Sequence, residues 1–103
     1  MPDHSAYIRE KLRGARNAIL DDDRPMQERL WSAYLYNLSS LQREWFPDAD
    51  AQNEFQAIIE ELRKYGEAVE GASSVPTTLW TMSDADAEAL AARIVMFADR
   101  CLA

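Results

Sequence analysis

Four acidic clusters hold the residues whose types and spacing come nearest to chemistry: Asp21-Asp22-Asp23, Asp48 and Asp50, Glu67 and Glu70, and Asp84, Asp86 and Glu88. Carboxylates hold a divalent cation when several converge on one point, and a calcium loop needs a tight-turn Gly at its sixth position and a bidentate Glu at its twelfth. Counting from Asp48, those positions are Asn53 and Ile59. Counting from Asp84, they are Ala89 and Val95. Both runs fail as calcium loops, and helix capping accounts for them. The three adjacent aspartates at 21–23 cannot all face one cation without further ligands. They read as a cap for a helix opened by Pro25, because a helix N-terminus is partially positive.

Other chemistries lack their parts. Glu67-x-x-Glu70 matches half of the paired Glu-x-x-Glu and Glu-x-x-Asp motif with which helical nucleotide pyrophosphohydrolases hold magnesium, but no Glu-x-x-Asp follows it. Di-iron bundles need Glu-x-x-His, which is absent from the sequence. The single histidine, His4, reads as a solvated end residue, so neither Ser-His nor Cys-His catalysis has its base. One Cys and one His at opposite ends do not make a zinc site. Cys101 reads as a small buried hydrophobe. Glycines at 14, 66 and 71 form no phosphate loop. The expectation is a chain with no cofactor, no metal and no catalytic residues.

The elements around these residues are helices. Only three Gly and four Pro punctuate 103 residues, so the elements must be long. The first helix is expected over 5–20, capped by Asp3 or Ser5. Ile8, Leu12, Ala15 and Ile19 form one face, widened by Tyr7 and Leu20. The second should span 25–46, from Pro25 to the residue before Pro47. The third is expected over 51–70, capped by Asp48 or Asp50, with Phe55, Ile58, Ile59, Leu62, Tyr65 or Gly66, and Val69 inward and an outer pair Glu60–Lys64. Gly71 would stop it, Gly14 and Gly66 suggest close helix packing, and Gly66 alternatively marks an early end or kink of this helix. The connection over 72–82 carries Val75, Leu79, Trp80 and Met82, too apolar for a free linker. Ser83 with Asp86 resembles a capping box, stapled by Met82 onto Ala87. It opens a last helix over 84–102 with Leu90, Ile94, Phe97 and Cys101 on one face. Together they predict one all-α domain over 1–103, a four-helix bundle, mostly antiparallel because the first two connections are short.

Charge restricts the partners. The net charge is −7, with seven acidic against two basic side chains over 48–71. Such a field repels phosphate, so nucleic acid is not an expected partner. No run reaches the roughly 18 apolar residues of a membrane span, and the first 16 residues lack the continuous apolar stretch of a signal peptide. A lone cysteine points to a reducing cytoplasm.

One feature exceeds what a bundle needs. The second helix carries Leu30, Tyr34, Leu38, Leu41 and Trp45 on one stripe, Trp31, Leu35 and Phe46 on the next, and Tyr36 further round. Such a helix is either central or part of a subunit interface. Trp31, Tyr34, Tyr36, Trp45, Leu79 and Trp80 are therefore the candidate interface residues. The leading reading is a non-enzymatic adaptor or regulatory protein that acts through protein contacts as a homodimer. The alternative is a small-ligand or divalent-metal-binding bundle, or a carboxylate-dependent enzyme, using Asp21, Asp22 and Asp23 or Glu67 and Glu70.

Overall fold

The computed structural model describes residues 4–64 and 79–103, and all its long elements there are helices. They are α1 (Ser5–Leu20), α2 (Met26–Tyr36), α3 (Ala49–Arg63) and α4 (Asp84–Leu102), packed together as an all-α bundle. Side chains fix the directions. Arg29 of α2 donates to the Ile19 carbonyl and Lys11 of α1 to the Tyr36 carbonyl, so α1 and α2 are antiparallel. Arg9 donates to the Leu102 carbonyl and Arg16 pairs with Asp99, which sets α4 antiparallel to α1. Glu54 pairs with Arg93, and Asp50 lies toward Arg100, so α3 also runs against α4.

The apolar periodicity of the outer helices buries as expected. Ile8, Leu12, Ala15 and Ile19 of α1, Phe55, Ile58, Ile59 and Leu62 of α3, and Leu90, Ile94 and Phe97 of α4 share one core. Tyr7 and Leu20 do not widen the α1 face inward; they are 39% and 54% exposed. The helix that touches each of the other three is α4, whose Ala87, Ala91 and Ala98 are buried and allow close approach.

The stretch 25–46 is not one helix. α2 ends at Tyr36, and Asn37 leaves helical geometry at φ −134°, ψ −70°. Two short 3-10 turns follow, Leu38–Ser40 and Arg43–Trp45. The cause is local competition for backbone groups: Ser39 Oγ donates to the Leu35 carbonyl, and Ser40 Oγ and its amide both donate to the Asn37 carbonyl. Breaking there relieves the problem of an apolar arc too wide for one face. Leu30 and Ala33 bury from α2, while Leu38, Leu41 and Phe46 bury from the irregular segment. Phe46 joins Phe55 and Phe97 at ring-centroid distances of 5.0 and 5.5 Å. The Asn37 side chain lies against Gly14, where a Cβ would overlap it, so this glycine lets α1 meet the end of α2.

The helix ends also differ from expectation in part. Asp48 caps α3, its side chain accepting from the Ala51 amide, and α3 begins at Ala49 rather than Ala51. Ser83 caps α4, accepting from the Asp86 amide, and Met82 and Ala87 are both buried there. His4 holds the cap position of α1 without a capping side-chain bond, and Ser5 is the first helical residue. Pro25 occupies the cap position of α2, without a capping side chain. Asp22 does not cap that helix because Arg24 claims it, through the Arg24 amide at 3.0 Å and the guanidinium at 2.6 Å. On α3, Lys64 pairs with Glu61, and Glu60 accepts from Gln56. The expected continuation of α3 to Glu70, with Tyr65, Gly66 and Val69, and the Gly71 stop lie outside the described residues. So do Asp3, Glu67, Glu70 and Val75.

Candidate interaction surface

The six candidate interface residues separate into three places. Trp31, Leu79 and Trp80 come together. The helical residues 79–81 lie against the first turns of α2, pinned by Gln27, whose Nε2 donates to the Met82 carbonyl at 3.1 Å and to Asp84 Oδ1 at 2.9 Å. Leu79 is fully buried and anchors this turn. Trp80, next to it, points outward and is 71% exposed. Between them and α2 lies a groove of about 260 Å³ lined by Trp31, Leu79 and Trp80, with Arg24, Gln27 and Glu28 as its polar lining. Tyr34 extends the aromatic surface along α2, its ring stacked with Trp31 at 6.1 Å. Both rings are half-buried against the core.

Tyr36 and Trp45 lie elsewhere. Tyr36 is 69% exposed at the end of α2, near Lys11. Trp45 packs at the start of α1. His4 stacks on it at 3.9 Å between ring centroids, and Tyr7 meets its edge at 6.1 Å. His4 is thus a half-buried packing residue, not the solvated end the sequence suggested.

The charged side chains Arg24 and Asp22 near the groove are engaged locally. The Arg24 guanidinium and amide hold the Asp22 carboxyl down at about pH 2. Arg24 also donates to Ser32 Oγ, so this short loop is tied to α2 at the groove's edge. Among the described residues, no three His, Cys, Asp or Glu side chains group closely enough to hold a metal ion. Asp22 of the acidic triplet is committed to Arg24, while Asp21 and Asp23 are exposed. Burial pushes the Cys101 thiol up, away from the thiolate that nucleophilic work requires. Among the described residues, no helix is long and apolar enough to cross a membrane.

Sequence reasoning missed Gln27, Glu28 and Arg24 as groove residues. A signal was present for two of them: Gln27 and Glu28 stand four and three positions before Trp31 on α2, whereas Arg24 lies in the loop before that helix. No protein-family model, curated protein or solved structure matches this chain.

Proposed function

We propose that this chain is a non-enzymatic interaction module that pairs with a second copy through the groove between α2 and residues 79–82. The observation that carries this reading is Trp80, left 71% exposed beside Trp31 while its neighbour Leu79 holds the turn in place. A tryptophan presented on a rigid base loses little conformational freedom on binding and buries about 150–250 Å² when covered. Trp, Tyr and Arg are the residues that dominate interface energies. The polar lining supports self-pairing. It is mixed in charge, with Arg24 already neutralised by Asp22 and Glu28 beside it, so a second copy of the same surface is not repelled by a single-sign field. The lone cysteine fits a reducing compartment, the cytoplasm in this reading.

Light scattering on the purified chain tests it. A dimer is expected at micromolar concentration, and Trp80→Glu converts it to a monomer with an unchanged far-ultraviolet circular dichroism spectrum, while its melting temperature loses the parent's dependence on concentration. A clean monomer at high micromolar concentration, or a Trp80→Glu variant that stays dimeric, overturns the proposal.

A further inference from the structure

A second depression lies at the other end of the bundle, where the start of α1 meets the end of α4. It encloses about 340 Å³, at the small end of the range of ligand sites, roughly 300–1,000 Å³. Its walls are apolar: Ile8 from α1, Trp45, Phe46 and Pro47 from the irregular segment, and Ala51 from α3. These are rigid. Ile8, Phe46 and Ala51 are buried in the core, and Trp45 is fixed by His4 and Tyr7.

Its charges run against those of the chain. Arg9 and Arg100 line the cavity together with one carboxylate, Asp48, in a protein of net charge −7. Asp48 is already engaged, accepting the Ala51 amide at 2.7 Å as the cap of α3. Arg100 makes two long ion pairs, 3.9 Å to Asp48 and 4.0 Å to Asp50, which leave its hydrogen-bond donors unused by either carboxylate. Arg9 gives the Leu102 carbonyl one bond, at 3.1 Å, from a group with five donors. An apolar cavity flanked by two guanidinium groups with donors to spare is complementary to one ligand chemistry: an apolar body that ends in an anion. Guanidinium and carboxylate pair through two parallel hydrogen bonds, and an aromatic wall accepts a flat ring.

We propose that this cavity binds a small amphipathic carboxylate, an aryl or short alkyl acid, with Arg9 and Arg100 on the carboxylate and Trp45 against the apolar body. The site is separate from the Trp31–Trp80 groove and does not depend on it. The test is two-dimensional NMR of the full nitrogen-labelled chain titrated with phenylacetate, with neutral phenylethanol and with cationic phenethylamine. Phenylacetate is expected to shift the Ile8 and Cys101 amides and the Trp45 indole, and to bind about tenfold more tightly than phenylethanol, with phenethylamine weakest. Arg9→Gln and Arg100→Gln, both at exposed positions, should each reduce the preference for the acid while leaving phenylethanol binding unchanged. Either variant alone is a sufficient check, provided its spectrum matches that of the folded parent. Equal binding of acid and alcohol, shifts centred on Trp31 and Trp80, or no shift at millimolar phenylacetate overturns the proposal.

Discussion

The two ends of the bundle each present a depression with a tryptophan in its wall, and they use it in opposite ways. At the α2 end, Trp80 stands 71% exposed, and the nearby cation Arg24 is already paired with Asp22. At the α1 end, Trp45 is half-covered by His4 and Tyr7, and the cavity beneath it has two arginines, Arg9 and Arg100, against one carboxylate, Asp48, which meets Arg100 only in a long ion pair of 3.9 Å. The same residue type is a presented contact in one place and a wall in the other. Neighbours decide which: a stacked imidazole and an edge-on phenol at Trp45, a solvent-facing helical turn at Trp80. Counting aromatics along a helix therefore says where surface is in excess, and only packing says which ring is left for a partner.

The largest effect expected from breaking this contrast is on stability. Phe46→Ala removes a buried ring that packs on Phe55 and Phe97 beneath the Trp45 end, and should cost about 3–5 kcal/mol in urea unfolding. Trp80→Ala should stay within about 0.5 kcal/mol of the parent at a dilution where both are monomeric, because its ring is mostly in water, while association at higher concentration is lost. Comparable losses in the two variants would erase the distinction between wall and presented contact.

Next in size is the clamp that fixes α3 on α4. Glu54 accepts from Arg93 Nε at 2.8 Å and Nη2 at 2.7 Å, a bidentate pair on a partly exposed flank. Glu54→Gln should lower stability by about 0.5–1 kcal/mol, discounted for solvent screening, with a smaller difference at high salt.

The smallest effect belongs to the loop at the groove edge. Hydrogen bonds from Arg24 hold the Asp22 carboxyl at about 2, below its ordinary value of 3.8. A depressed carboxyl favours the folded chain above its unfolded pKa, because the unfolded chain takes up the proton first as pH falls. The contribution of Asp22 is therefore complete above about pH 4 and is lost as pH falls toward about 2. The gap in urea midpoint between the parent and Asp22→Asn should close over that window. A gap of the same size at about pH 2 as above about pH 4 would mean that the ionised pair is not its source.

Much of the fold was legible because it is written in short-range periodicity. The 8, 12, 15, 19 spacing of α1 and the Ser83 cap of α4 need no tertiary information. The break at Asn37 was hidden because the apolar spacing runs straight through it, from Leu30 to Leu41. Serine hydroxyls that divert backbone carbonyls overrode that period. Asp22 misled for a similar reason, since an arginine two residues on outcompetes a helix terminus for its carboxylate. The groove was half legible. Trp31 and Trp80 stand out by type, but their convergence depends on Gln27 reaching the Met82 carbonyl across 55 residues of sequence. The α1-end cavity was not legible at all, for its lining comes from α1, the irregular segment, α3 and α4.

Dilution of the nitrogen-labelled chain, followed by two-dimensional NMR, tests the central claim most directly. If copies pair through the Trp31–Trp80 groove, the concentration-dependent shifts fall on Gln27, Glu28 and the Trp31 and Trp80 indoles, while the Trp45 indole stays still. A spectrum unchanged across the dilution series, or shifts centred on Trp45, would contradict it.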